Sequence, residues 1–93
     1  MLRLSLRLKS TMHLQIITPT GTQYEGEVGR FQFTSATGMM EFLPRHAPMI
    51  AEVKAGSIHT ESEEIACGAG VVRIENDEIT VVCEPAHALG ESS

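Results

Sequence analysis

The sequence predicts an all-β protein, a two-sheet sandwich or flattened barrel of about eight to ten short strands in one domain. Apolar and polar residues alternate with period two in segment after segment, as in half-buried strands. Helical periodicity is absent, and turn-forming residues separate the alternating segments at roughly 6–12-residue intervals. The 93-residue length leaves room for one domain with one core.

The alternating segments each place apolar side chains on one face. In the first, Leu14 and Ile16 point one way, while His13, Gln15 and Ile17 point the other way. The same alternation recurs in residues 30–34, 49–54 and 79–84. These segments are expected to be strands with one buried face.

Turn residues mark where these strands end. Residues 18–21 (Thr-Pro-Thr-Gly) end the first strand, because proline donates no ladder hydrogen bond and glycine tolerates positive φ. Residues 37–38 and 55–56 predict further turns. Gly68-Ala69-Gly70 predicts a β-bulge or a close approach between sheets. Residues 74–79 predict a tight hairpin around Asn76-Asp77.

The composition excludes several classes of protein. With 42% apolar and 20% charged residues, the chain is neither a disordered tail nor a membrane span. Seven basic against twelve acidic residues give a net charge of −5, the wrong sign for binding phosphate backbones. No nucleic-acid partner and no direct membrane insertion are therefore expected.

The first eleven residues differ from the rest, since they carry three basic residues and no acidic one. We expect three parts: an N-terminal extension (1–11), a β-sandwich domain (12–84) and a short tail (85–93). Three interpretations of the extension stay open: translation from a start upstream of the true start at Met12, an added edge strand, or a targeting remnant.

No catalytic or metal site is evident in the sequence. The four histidines lack the paired spacing of zinc ligands, and no serine lies in a nucleophile elbow. Cys67 and Cys83 lie in apolar segments, which predicts buried free thiols, with a disulfide between neighbouring strands as the alternative. The acidic run 61–64 predicts a solvated hairpin tip.

The most informative segment is 38–50, which reads Gly-Met-Met-Glu-Phe-Leu-Pro-Arg-His-Ala-Pro-Met-Ile. Its two prolines predict an extended, rigid loop between two strands. Met39 and Met40 suit either an adaptable contact surface or the core.

Through this segment, with its Pro-Arg-His-Ala-Pro motif, the sequence resembles the epsilon subunit of the F-type (rotary) ATP synthase, called delta in mitochondria. The resemblance extends over roughly residues 12–84 and includes segments 12–19, 24–28, 54–58, 68–72 and 76–81 in family order. It implies a sandwich of about ten strands in the central stalk. A stand-alone β-sandwich module that binds a protein or ligand is the alternative.

The resemblance also implies a function and partners. The chain would be a non-catalytic rotor subunit that couples gamma to the c-ring, so that proton transport drives ATP synthesis. Its partners would be gamma and the c-ring, with no cofactor, metal or small-molecule substrate. It would lie at the cytoplasmic face of the bacterial inner membrane as a peripheral part of the complex.

Residues carried over from the family form two candidate interfaces. The gamma-facing residues would be Thr18, His46, Ala47 and Pro48, and the ring-facing residues Gly38, Met39, Met40 and Glu41. Met39 stands where many members have an acidic residue, and Glu41 stands in place of a glycine. We therefore expect Glu41, or the Met39-Met40 pair, to replace that acidic contact.

The resemblance carries an expectation about regulation as well. Many bacterial members continue into a C-terminal helical hairpin that inhibits ATP hydrolysis, and residues 84–93 are too short for two helices. The expectation is a chain without ATP binding and without epsilon-type inhibition.

Overall fold

The computed structural model describes residues 11–85, which form nine strands and no helix. The strands are β1 (Met12–Thr18), β2 (Gly21–Val28), β3 (Phe31–Ser35), β4 (Gly38–Phe42), β5 (Met49–Val53), β6 (Gly56–Thr60), β7 (Glu64–Cys67), β8 (Gly70–Glu75) and β9 (Glu78–Cys83). The expectations for 1–11 and 85–93 lie outside the described residues, except at Thr11 and Pro85.

The strands form two sheets, which confirms the predicted all-β sandwich. One sheet has the order β2-β1-β9-β8-β5, and the other has the order β4-β3-β6-β7. All paired strands are antiparallel except β1 and β9, which run parallel in the middle of the five-stranded sheet. The first and last described strands are thus neighbours.

Successive strands run alternately between the two ends of the sandwich. The His46 end holds the connections at residues 29–30, 43–48, 61–63 and 76–77. The Thr18 end holds those at residues 19–20, 36–37, 54–55 and 68–69. Strands β2 and β7 are edges that meet on one side, where Gln23 Nε2 donates to Ala66 O at 3.2 Å.

The core is built from the apolar face that the period-two pattern predicted. Leu14 and Ile16 are fully buried, and the residues between them point outward. Three phenylalanines, Phe31, Phe33 and Phe42, form a cluster with ring centroids 5.3–5.8 Å apart. The remaining buried apolar residues are Met12, Val28, Val53, Ile58, Cys67, Val72, Ile74, Ile79, Val81 and Cys83.

The predicted turns are confirmed by backbone geometry. Asn76 and Asp77 have φ values of 52° and 62°, as a two-residue type I′ hairpin requires. A close approach is present at Gly68-Ala69-Gly70, but at Gly70 it is between neighbouring strands of one sheet and not between sheets. A Cβ at Gly68 would lie 2.6 Å from Glu84 O. A Cβ at Gly70 would lie 2.5 Å from Cys83 Cα, so glycine allows β8 to start against β9.

Both cysteines are buried and free, as predicted. They lie at the ends of β7 and β9, which belong to different sheets, and no disulfide joins them. Burial raises the pKa of Cys67 to about 12, and the neighbouring Cys83 thiol adds to the rise. Burial likewise raises the pKa of Cys83. A high thiol pKa suppresses the reactive thiolate.

Glu61, at the predicted solvated hairpin tip, also makes specific hydrogen bonds. Its carboxylate accepts hydrogen bonds from Gly29 N at 2.9 and 3.0 Å and from Arg30 N at 3.2 Å. These bonds join the β6–β7 tip to the β2–β3 connection. The Gly29 hydrogen bonds are the main reason that the pKa of Glu61 lies below its ordinary value.

Replacing Glu61 by Gln should therefore lower the free energy of unfolding by about 0.5–1.5 kcal/mol, since these hydrogen bonds are charge-assisted but exposed. Because the pKa is lowered on folding, this stabilisation is present above the unfolded pKa and is lost as pH falls through the folded one. Urea unfolding of both proteins at pH 7 and pH 3 measures this contribution of Glu61 to stability. Glu64→Gln, an exposed carboxylate on the same tip, is the control, and equal losses in both variants would contradict the assignment.

Candidate interface site

The connection between β4 and β5 begins with a tight turn. His46 N donates to Leu43 O at 3.1 Å, Pro44 follows Leu43, and Arg45 has a φ of 73°. Proline at the second position and positive φ at the third define a type II turn. The prediction of a wholly extended loop was wrong for residues 43–46, because Arg45 adopts the left-handed backbone that this turn requires.

Asp77 fixes this turn to the neighbouring β8–β9 hairpin. Its Oδ1 accepts a hydrogen bond from Arg45 N at 2.6 Å, which compensates for the strained conformation of Arg45. Its backbone oxygen accepts from His13 N at 2.8 Å at the start of β1. The predicted rigidity of the loop therefore comes from an aspartate 32 residues away as well as from the prolines.

His46 is partly buried beside the turn. Its ring lies on Phe42, with centroids 4.7 Å apart at 50°. Its Nδ1 lies 2.7 Å from Ala47 O, which only accepts hydrogen bonds, so Nδ1 donates to it. Ala47 and Pro48 are exposed. Residues His46, Ala47 and Pro48 form one ordered surface, which we call the His46 loop.

Thr18 lies at the other end of the sandwich. Its hydroxyl donates to Gly21 O at 3.2 Å and accepts from Thr20 N at 3.3 Å, which stabilises the β1–β2 turn. The side chain is 6% exposed. A seven-residue strand spans about 20 Å, so the structure does not bring Thr18 together with the His46 loop.

The four ring-facing candidates all lie on β4, an edge strand of the four-stranded sheet. Gly38 begins the strand with a φ of 127°, and Met39 is 63% exposed. Met40 is partly buried against the core. Met39 is thus available for contact, whereas Met40 contributes to packing.

Glu41 is not an isolated carboxylate. Its Oε2 lies 3.7 Å from Arg30 Nε and 3.5 Å from Gln32 Nε2. All of these side chains lie on the outer face of the four-stranded sheet or at its margin. The Arg30 charge partly offsets the negative charge that Glu41 presents.

A shallow groove separates β4 from β5, the edge strand of the other sheet. It encloses about 290 Å³ and has Met40, Met49 and Ala51 on its walls. Ile50, on the outer face of β5, is 66% exposed. The β4–β5 side therefore combines two strand edges with flexible apolar side chains, which suits a protein contact.

The part of the chain that the structure describes has no metal-binding cluster and no fully exposed aromatic side chain. Within residues 11–85, no three His, Cys, Asp or Glu side chains are placed to hold a metal ion. All three phenylalanines are buried and Tyr24 is half-buried, so this part of the chain has no exposed aromatic platform. No helix in this part of the chain is long and apolar enough to cross a membrane.

Comparison with known proteins identifies the domain. The family model for the β-sandwich domain of the ATP synthase delta/epsilon chain matches residues 11–88. The chain is 30% identical over 80 residues to the ATP synthase epsilon chain of Halalkalibacterium halodurans, covering 82% of this chain and 60% of that one. The chain is 26% identical to the ATP synthase epsilon chain of Bacillus subtilis, and the match covers 82% of this chain and 61% of that one.

Two solved structures share the fold at 14% sequence identity. A chain from the Euglena gracilis mitochondrial ATP synthase (OSCP/F1/c-ring) matches with a TM-score of 0.76, covering 89% of this chain and 56% of that one. A chain from the Tetrahymena thermophila mitochondrial ATP synthase central stalk and c-ring matches with a TM-score of 0.66. The match covers 82% of this chain and 65% of that one.

The protein spans about 60% of the length of these epsilon-chain relatives. The match nevertheless extends over the whole described sandwich, from β1 to β9. The chain therefore belongs to the ATP synthase delta/epsilon family, through its β-sandwich domain.

Proposed function

We propose that this protein is a non-catalytic subunit of the rotor of a proton-translocating F-type ATP synthase, where it joins gamma to the c-ring. The observation that carries the proposal is the family match over the whole sandwich. The relatives named above are epsilon chains, and the neighbouring structures come from mitochondrial ATP synthases. We place the complex at the cytoplasmic face of the bacterial inner membrane, with this subunit peripheral.

The physical properties of the domain suit a mechanical role. A subunit that transmits torque must keep its two contact surfaces at a fixed separation. Two packed sheets with a close-packed core resist such deformation. The Asp77 hydrogen bond to Arg45 N and the Glu61 hydrogen bonds to Gly29 N tie connections of the His46 end together.

We propose that gamma contacts the His46 loop. The loop is ordered before binding, so little conformational entropy is lost when a partner covers it. The family resemblance also assigns Thr18 to the gamma-facing residues. Because its hydroxyl is already hydrogen-bonded, Thr18 would act by shaping the β1–β2 turn.

His46→Ala should weaken association of the full chain with gamma about tenfold, since it removes a ring packed on Phe42 beside the proposed contact. Co-expression with gamma followed by titration calorimetry measures this. The control is His59→Ala on β6, away from the loop. Equal affinities of both variants and the unchanged protein would contradict the gamma assignment.

We propose that the ring contact is made by β4, through Glu41 or through the Met39-Met40 pair. Exposed Met39 supports the apolar version, and the Arg30 neighbour makes Glu41 the weaker candidate. A basic partner loop would favour the carboxylate, whereas an apolar one would favour the methionine.

Glu41→Lys separates the two versions. If Glu41 makes the contact, charge reversal should reduce ATP synthesis in inverted membrane vesicles several-fold while ATP hydrolysis persists. If the methionines make the ring contact, Met39→Asp should instead be the variant that reduces ATP synthesis while ATP hydrolysis persists. The control is Glu64→Lys on β7, an exposed glutamate on the opposite edge strand of the same sheet. Intact rotor assembly and coupled synthesis in the Glu41 variant would exclude the Glu41 version.

A further inference from the structure

Asp77 links three segments at the His46 end of the sandwich. Its carboxylate Oδ1 accepts a hydrogen bond from Arg45 N at 2.6 Å, in the connection between β4 and β5. Its backbone oxygen accepts from His13 N at 2.8 Å, at the start of β1. Asp77 itself is the second residue of the turn between β8 and β9. The carboxylate is therefore held by the centre of the five-stranded sheet, where β1 and β9 are neighbours.

Arg45 is the residue whose backbone this carboxylate controls. Its φ of 73° is left-handed, a conformation that a residue with a Cβ populates about five- to thirtyfold less than the right-handed one. The turn that His46 N closes by donating to Leu43 O at 3.1 Å requires this conformation. A hydrogen bond to an ionised carboxylate offsets a bias of this order. Removing the carboxylate would leave the turn with the strain alone.

The His46 loop follows this turn directly. It ends at Pro48, immediately before β5 begins at Met49, so the strand fixes one end of the loop. The turn at Arg45 fixes the other end. An open turn would therefore shift the His46 ring away from Phe42, on which it packs with centroids 4.7 Å apart.

We propose that Asp77 is a positioning residue for the binding of gamma, acting through Arg45 to hold the His46 loop in its binding conformation. This inference rests on the proposed contact between gamma and the His46 loop. The apparent Kd rises as the fraction of molecules in the binding conformation falls. Asp77 thus sets the affinity for gamma through the population of the closed turn.

Asp77→Gly in the full chain tests this role. Glycine adopts the positive φ of the hairpin turn, and Asn-Gly is a favoured pair for it, so the variant keeps the hairpin and loses the carboxylate. Its affinity for gamma, measured by titration calorimetry, should fall about three- to tenfold. Asp77→Asn keeps an acceptor oxygen and should restore most of the affinity. The control is Asn76→Gly, at the other left-handed position of the same turn, which should bind gamma unchanged.

Arg45→Gly gives a readout that a merely structural role of Asp77 would not move. Glycine adopts the left-handed conformation without strain, so the turn no longer depends on the carboxylate. Asp77→Gly should therefore weaken gamma binding less in the Arg45→Gly background than in the unmodified one. In the absence of gamma, exchange of the Arg45 amide proton, followed by NMR, should accelerate about three- to tenfold in Asp77→Gly and not in Asn76→Gly.

Two results would overturn the inference: equal gamma affinities of Asp77→Gly and Asn76→Gly, or equal losses from Asp77→Gly in the two Arg45 backgrounds. Failure of the proposed function has a different signature. Unchanged gamma affinity in His46→Ala would refute the gamma contact itself, and with it the role of Asp77 in binding, whatever the Arg45 amide shows.

Discussion

Gly70→Ala should destabilise the domain by about 3 kcal/mol or more, a large fraction of its total stability. The added methyl group would overlap the backbone oxygen of Val82 and lie 2.5 Å from Cys83 Cα. These atoms belong to the central strand β9, which pairs with both β1 and β8 and has no room to move. A domain of this size has only about 5–10 kcal/mol of total stability.

Thermal and urea unfolding followed by circular dichroism measure the loss. Gly26→Ala is the matched control, because Gly26 also lies in a strand but a Cβ there meets only the Tyr24 side chain, whose hydroxyl is nearest at 3.2 Å. That hydroxyl is the end of a side chain that can rotate away. Similar stability losses in the two variants would show that the close approach of β8 to β9 does not limit this position.

Phe33→Ala should cost about 3–5 kcal/mol, because it removes a fully buried ring and leaves a cavity. Phe33 lies 5.4 Å from Phe31 and 5.3 Å from Phe42, measured between ring centroids, so both neighbours lose aromatic contacts. His46 packs on Phe42 from the loop side. The order of the His46 loop should therefore decrease together with the stability of the core.

Urea unfolding gives the change in free energy, and the NMR line widths of His46 report the loop. Phe33→Leu is the control, since it keeps most of the apolar volume and should cost roughly 1.5 kcal/mol or less. A Phe33→Ala protein with unchanged stability would contradict the placement of this ring at the centre of the core.

The strands and hairpin turns were predictable because each depends on residues close together in sequence. Alternation decides which face of β1 is buried, and Asn76-Asp77 tolerates the two left-handed conformations of its turn. The turn at Arg45 was not predictable in this way. Its conformation depends on Pro44 and on Asp77, whose side chain reaches it from another hairpin.

The candidate site was predictable as a segment but not as a surface. The motif at residues 44–48 indicated the loop, yet sequence order alone did not show that Thr18 lies at the opposite end of the sandwich. The same limit applies to Glu61, whose role as an acceptor for Gly29 N arises between two connections that are distant in sequence. Long-range hydrogen bonds of exposed side chains leave no periodic signal.

The parallel pairing of β1 with β9 has a consequence for synthesis on the ribosome. His13 of β1 pairs with Glu78 of β9, so the centre of the five-stranded sheet cannot close until nearly the whole domain has left the exit tunnel. The four-stranded sheet, formed from β3, β4, β6 and β7, needs only shorter-range pairings. A nascent chain would thus carry β1 and β2 as an unfinished hairpin, and such late, non-local closure makes folding slow.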